Sequence, residues 1–268
     1  MKGINRVIEY SKNDYTFDLE PISDIHYDDT NFDAVKFKQV IERIAKDKDR
    51  YTLLMGDYGS SIYSYPTENR GTLTIRQEFR DDPDKLYNDL TNIFYPIRKK
   101  ILGVVEGNHD HKIHQRSFHE WVKQFSEELE VPYLTMTALI NLKFIYKPTG
   151  REDNYKIFCT HGSYAGRKPS GMVNKLMDMS TGFDADIYLA GHAHDINIDK
   201  RVVDGIDDNG KRVRATRVFG LCGCFVHGYS LDDSDTITYA EQKMFLPNKV
   251  GTLTVSIRPF EGKLNIHA

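Results

Sequence analysis

Cysteine is scarce in this chain. Cys159, Cys222 and Cys224 are the only three in 268 residues. An odd number with neither zinc-finger nor CxxC redox spacing excludes a disulfide framework and a thiolate metal site. Each lies in an apolar run that reads as a buried strand, so all three are expected as small core residues of a reducing compartment. A basic excess is missing too: the formal net charge is -3, and any nucleic acid would have to be gripped by a local patch. No stretch approaches the ~20 consecutive apolar residues that span a bilayer. The opening residues MKGINRVIEYSKNDY carry no apolar leader segment, so a cytoplasmic location without membrane association is expected. There is no internal repeat, low-complexity tract or linker.

What remains is ordinary globular composition, 40% hydrophobic and 28% charged, and a single domain over 1–268 is expected. Periodicity alternates short β-type runs with amphipathic helices in the first half. Strands are expected at Tyr15–Ile22, Tyr51–Met55 and Ile101–Val105. Helices are expected at Asn31–Lys48, with Asn31 as cap, and at Asp84–Lys100. A helix over Ser117–Leu129 then precedes a β-rich stretch, Val131–Phe144, and strands at Tyr155–Thr160 and Asp186–Ala190 surround a helix near Ser170–Met179. The last third changes texture. The DDNG turn at Asp207–Gly210 and alternating runs at Val213–Phe219 and Thr252–Ile257 predict antiparallel strands. Gly59–Pro83 is polar, aromatic and irregular, and reads equally as a functional flap or as a surface insertion.

Chemistry concentrates in five short segments: SDIHYDD with Asp24 and His26, MGDYG with Asp57, EGNHDH with Asn108 and His109, CTHGS with His161, and AGHAHD with His192 and His194. Each follows an apolar run expected to be a strand, and ligands converge at the carboxyl ends of strands in α/β sheets. Asp24 and His26 are two residues apart, as are His192 and His194, and alternate residues of extended chain face the same way. Glycine accompanies four of the five segments, which suits close approach of backbone to an ion. Asp and Asn oxygens mixed with His nitrogens suit manganese, iron, zinc or nickel better than calcium or magnesium alone. Any one segment has a bland reading as a turn, a cap or a core histidine. Five in order, each at a strand end, do not.

The ordered set DxH, GD, GNHD, HG, GHxH resembles the calcineurin-like metallophosphoesterase superfamily over about Tyr15 to Asp195, and most of all its small stand-alone bacterial and phage enzymes. The resemblance implies a four-layer α-β-β-α sandwich, two mixed β-sheets flanked by helices with a dinuclear metal site at strand C-terminal ends. It implies that Asp24, His26 and His194 hold one divalent ion, that Asn108, His161 and His192 hold the other, and that Asp57 bridges them. Manganese is the first expectation for both. His109 resembles the family's histidine that sits by the leaving group. The expected activity is hydrolysis of phosphate esters by a hydroxide held between the metals. A phosphodiester, nucleotide or nucleic acid, is slightly preferred as substrate over a phosphoprotein or small monoester. A reading from another class keeps the ligands and drops the chemistry, giving a metal-bearing binding module.

Weaker signals surround this set. His111, His114 and His119 read as solvated imidazoles at a helix entrance more readily than as substrate contacts. Arg167 and Lys168 suit a phosphate clamp or a solvated loop equally. The tyrosines of Tyr58–Tyr65 suit base stacking or loop packing equally. His227 reads as structural.

Overall fold

The computed structural model describes all residues except 61–73, 80–81, 164–168, 207–209 and 232–236. Two mixed sheets stack face to face. The first contains β1 (Lys2–Tyr10), β5 (Thr137–Tyr146), β6 (Arg151–Thr160), β7 (Ile187–Ala190), β8 (Ile196–Ile206) and β9 (Arg212–Cys222), in the order β1-β5-β6-β7-β9-β8. The second contains β2 (Phe17–Leu19), β3 (Arg50–Leu54), β4 (Ile101–Val104), β10 (Thr254–Arg258) and β11 (Lys263–His267), in the order β11-β10-β2-β3-β4. In the second sheet β2, β3 and β4 run parallel, as do β6, β7 and β9 in the first.

Period-two alternation assigns the layers. Leu53 and Met55 point into the core between the sheets with Ile140, Leu142, Ile157, Leu189 and Val218. Leu54 points the other way, into a second core with Ile22 and Val104. Three helices cover that outer face through Phe37, Val40 and Ile44 of α1 (Ala34–Lys46), Leu86 and Leu90 of α2 (Pro83–Phe94), and Val122 and Phe125 of α4 (Trp121–Glu128). On the first sheet Tyr188 and Phe219 meet Met172, Val173 and Leu176 of α5 (Pro169–Met179). The order helix, sheet, sheet, helix is the four-layer arrangement expected.

Local chemistry moves several boundaries. The cap of α1 is Asp33, which accepts the Lys36 backbone N–H at 2.8 Å, while Asn31, the expected cap, donates its own N–H to Asp29 Oδ1 at 2.8 Å. The helix expected over Asp84–Lys100 stops as an α-helix at Phe94 and tightens to a 3-10 turn over Tyr95–Lys100, because Pro96 has no N–H to continue the ladder. The helix expected over Ser117–Leu129 is shorter, and a further helix that was not expected precedes it. α3 (Asn108–Ser117) ends where Phe118 turns left-handed at φ 56, and α4 begins at Trp121. β1 was hidden by its polar outward residues; it pairs in parallel with β5 along its whole length. The antiparallel texture of the tail holds in the pairs β8–β9 and β10–β11. Residues 207–209 of the DDNG turn lie outside the described residues.

Candidate metal centre

All five segments emerge at strand C-terminal ends, three from the second sheet after β2, β3 and β4, and two from the first after β6 and β7. They therefore meet at the seam between the sheets. Parallel pairing brings this about: β2, β3 and β4 run the same way, so their outgoing loops share one edge. Hydrogen bonds then tie loop to loop, from Asp24 N to Gly56 O at 3.0 Å, from His26 N to Asp57 O at 3.1 Å and from Phe225 N to Asp24 O at 3.0 Å.

The backbone is held in an uncommon shape here. Asp24, His26, Asp57, His192 and His194 all have left-handed φ, between 44° and 65°. Non-glycine residues rarely adopt it, and such conformations persist where the surroundings over-determine them. Left-handed residues turn the chain sharply, so each loop aims its side chains back over the strand end. Glycine is required where two loops touch. A Cβ on Gly107 would stand 2.1 Å from Asp57 N and Oδ1, and one on Gly56 would stand 2.5 Å from Gly107 N.

The side chains form two groups that share Asp57. In the first, Asp24, His26, Asp57 and His194 each offer one ligand atom, and in the second Asp57, His161 and His192 do so, every atom within 4.8 Å of the others in its group. His26 Nε2 and His194 Nε2 lie 3.2 Å apart, and His194 Nε2 is 3.2 Å from Asp24 Oδ1. Across Asp57, His161 Nε2 is 3.2 Å from Asp57 Oδ2. Asn108 Oδ1 joins this second group, 3.0 Å from His161 Nε2 and 2.7 Å from His192 Nδ1. The structure thus brings together Asp24, His26, Asp57, Asn108, His161, His192 and His194.

Orientation of the rings is enforced from behind. His161 Nδ1 lies 2.8 Å from the Met55 carbonyl, which can only accept, so Nδ1 carries the proton and Nε2 faces the centre. His26 Nδ1 bonds Ser60 Oγ at 3.1 Å, again leaving Nε2 inward. Asp24 Oδ2 accepts from Ser23 Oγ and from the His192 backbone N–H.

The donor set fits divalent cations. Asp24 Oδ1 and Asp57 Oδ2 are buried carboxylate oxygens without a hydrogen-bond partner of good geometry, which is costly unless a cation takes them. Burial alone would raise the Asp57 carboxyl, but His161 and His109 outweigh it and hold it well below the usual carboxylate range. Burial opposes a charge on His161, yet Asp57 overcomes this and pushes its imidazole up to about 10, so that a cation on Nε2 would take the place of a proton there. Burial lowers His26 to about 3, helped by His194 and His109, so it stays neutral as a ligand must.

His109 stands beside this cluster and outside both groups. Its backbone N–H donates to Asp57 Oδ1 at 2.9 Å, its Nδ1 lies 3.2 Å from the Ser60 carbonyl, and its Nε2 is 3.9 Å from Asp57 Oδ2 with the side chain 31% exposed. It opens α3, so its ring sits at the positive end of a helix.

Asp110, to which the sequence pattern gives no role, holds two of the loops. Its Oδ2 accepts from Asp57 N at 2.8 Å and Gly107 N at 2.9 Å. Its Oδ1 accepts from Tyr58 N at 3.2 Å and the Tyr87 hydroxyl at 3.1 Å. The fourth letter of GNHD was the available signal. Ser60, behind His26, had none.

The weaker signals divide. His111 Nδ1 bonds Glu106 Oε1 at 3.0 Å, and the His119 ring lies 3.8 Å from that of Trp121, so both are held away from the cluster. Tyr58 does not stack on a ligand: it is fully buried and its hydroxyl donates to Val105 O at 2.9 Å. His227 Nε2 bonds Asp33 Oδ2 at 3.1 Å, tying its loop to the cap of α1. Tyr63, Tyr65, Arg167, Lys168 and most of the 59–83 segment lie outside the described residues.

The family described as calcineurin-like phosphoesterase matches residues 22–195. Similar solved structures include wild-type Vps29 complexed with zinc from Entamoeba histolytica, 13% identical, covering 94% of this chain and 97% of that one with a TM-score of 0.45. A metallophosphoesterase from Sphaerobacter thermophilus is 13% identical, covering 94% and 87% with a TM-score of 0.39. An NAD nucleotidase from Haemophilus influenzae is 14% identical, covering 95% of this chain and 49% of that one with a TM-score of 0.39. No curated protein matches the chain.

Proposed function

The chain belongs to the calcineurin-like phosphoesterase family, and on that premise we propose that it hydrolyses phosphate esters at a centre of two divalent cations. Asp24, His26 and His194 would hold one cation, Asn108, His161 and His192 the other, and Asp57 both. The observation that carries this reading is Asp57 itself, common to both ligand groups with its buried Oδ2 lacking a hydrogen-bond partner of good geometry. When bound, two such ions lower the pKa of a shared water and neutralise phosphoryl oxygens.

The remaining work falls to the protein. Met55 O fixes the tautomer that aims His161 Nε2 inward, and Ser60 Oγ holds the His26 ring with its Nε2 inward. The paired loops exclude water from the buried oxygens of Asp24 and Asp57. His109 Nδ1 faces the Ser60 carbonyl, so Nε2 is the ring atom turned to the cluster, 3.9 Å from Asp57 Oδ2. When protonated, it stabilises charge on a phosphoryl oxygen or gives the proton to the departing alkoxide. An imidazole placed beside the cluster and outside both ligand groups favours an enzyme over a metal-bearing binding module.

A phosphodiester, nucleotide or nucleic acid, is preferred as substrate over a phosphoprotein. Manganese is the first choice of ion, with iron, zinc or nickel compatible with the same donors. Incubation of the manganese-loaded protein with bis(p-nitrophenyl) phosphate and with p-nitrophenyl phosphate tests both statements. Release from the diester, abolished by chelator, is the expected result. Activity on the monoester alone removes the diester preference, and bound metal without turnover on any phosphoester leaves the binding module.

A further inference from the structure

Among the described residues, the sheet that carries His161 and His192 ends in an open strand. β8 is the last strand of its sheet, paired on one side with β9. It is eleven residues long, and long flat edges invite pairing with another chain. Its outer half projects beyond the rest of the sheet, because β7 pairs with β9 only at Val218, Phe219, Gly220 and Leu221. On this projection Val202 and Ile206 are 63% and 75% exposed, and Ile198, at its inner end, is 37% exposed. All three lie on one face with Lys200 and Asp204, since alternate residues share a face.

We propose that two copies of this chain join β8 to β8 about a two-fold axis at Val202, making one continuous sheet across the dimer. The sequence INIDKRVVDGI selects that register. A two-fold axis perpendicular to the sheet keeps each face on its own side, so residues pair symmetrically about the centre. Centring on Lys200, Arg201 or Asp204 sets like charges opposite each other. Centring on Val203 sets Asp204 and Lys200 against Val202 and Ile206. Centring on Val202 alone puts Ile198 against Ile206, Lys200 against Asp204, and Val202 against its own copy. Apolar thus meets apolar and opposite charges meet twice.

The backbone supports the same pairing. The Lys200 and Ile196 N–H groups donate to the side chains of Asp199 and Asp195 at 2.7 and 2.8 Å, which points to the even-numbered residues as those whose N–H and C=O face outward. These are the residues the register sets opposite each other; in the dimer the Lys200 N–H would leave Asp199 for the second copy. Asp204 accepts from Arg212 and Arg214 at 2.8 Å on its β9 side, and Lys200 of the second copy would complete the row on its open side. Lys200 would leave its present partner, Asn265 Oδ1.

Sedimentation of the full chain over a range of concentrations tests the association, and a chain that stays monomeric throughout overturns it. Charge swapping tests the pairing. Lys200→Asp places Asp against Asp204 twice and is expected to weaken the dimer roughly tenfold or more, while the double variant Lys200→Asp/Asp204→Lys restores it. Weakening without restoration overturns the register. Val202→Cys provides a readout that does not depend on charge. Directly opposed residues of a hydrogen-bonded antiparallel pair have Cα atoms about 5.5 Å apart, within disulfide range, and Cys159, Cys222 and Cys224 are buried. Oxidised Val202→Cys is expected to run as a covalent dimer on a non-reducing gel, whereas Val213→Cys on the neighbouring strand is not. Cross-linking of both to the same extent, or of neither, overturns the proposal.

Discussion

Replacing Asp110 tests whether the loops bearing Asp57 and Asn108 are positioned by a buried carboxylate. Asp110 accepts three backbone N–H groups, from Asp57, Tyr58 and Gly107, and the Tyr87 hydroxyl. Burial and then Asp57 push its carboxyl up to about 7. Both oxygens nevertheless face donors alone, so the ionised form is the one that satisfies the geometry. In Asp110→Asn the best orientation turns Oδ1 to the Asp57 and Gly107 N–H groups and the amide NH2 to Tyr87, whose oxygen can accept. Only the Tyr58 N–H is then orphaned, at a cost of about 1–3 kcal/mol for one buried donor. Asp110→Ala orphans all three backbone donors, about 3–9 kcal/mol before water entry offsets part of it. That is comparable with the ~5–15 kcal/mol that holds a domain together. Thermal melting should therefore fall by roughly 2–12 °C for the Asn variant, at about 2–4 °C per kcal/mol for a chain approaching this size, and by much more for Ala. Metal affinity, read by titration with manganese, should drop little for Asn, which keeps the Asp57 and Gly107 anchors. For Ala it should drop roughly 10- to 100-fold, as for other supports behind metal ligands. An Ala variant with unchanged melting and unchanged metal affinity refutes the reasoning.

Four further outcomes are expected. Asp57→Asn removes the charge common to both ligand groups, so elemental analysis should find less bound metal and phosphoester hydrolysis should fall to background; a fully active variant ends the two-cation reading. His109→Gln should retain its metal while kcat falls roughly 100- to 10,000-fold, the range for loss of a general acid. Gly107→Ala drives a methyl group to within 2.1 Å of Asp57 N and Oδ1, and overpacking of this kind costs about 1–3 kcal/mol, to be read as a lower melting temperature together with weaker metal binding. Lys100 Nζ donates to the carbonyls of Ile44, Ala45 and Asp47 at 2.6, 3.1 and 2.7 Å, closing the C-terminal end of α1. Lys100→Met should cost about 1–2 kcal/mol in denaturant unfolding and leave hydrolysis unchanged.

Much of this molecule was legible in its residues, for local reasons. Alternation and helical spacing are nearest-neighbour properties, and they place β3, β4, β6, β7, α1 and α5 within a few residues of their true limits. The errors were local chemistry as well: Pro96 ending α2, Asp33 in place of Asn31 as a cap, and Phe118 closing the unexpected α3 just before α4. The five segments could be recognised because Asp, Asn and His at strand ends keep their spacing however far apart the strands are in sequence.

Residue order names Asp24, His26, Asp57, Asn108, His161, His192 and His194, because a short motif carries its donors with it. Only the tertiary structure decides that these side chains meet, since the seam between the sheets exists only once β2, β3 and β4 lie beside β6 and β7. It also decides what stands behind them. Asp110, Ser60 and the Met55 carbonyl act through contacts with residues far away in the chain. A side chain's partners at long range leave no period and no spacing to read. The same holds for the edge of β8: its sequence displays alternating apolar and charged residues, but which strand lies outermost is fixed by the packing of the whole sheet.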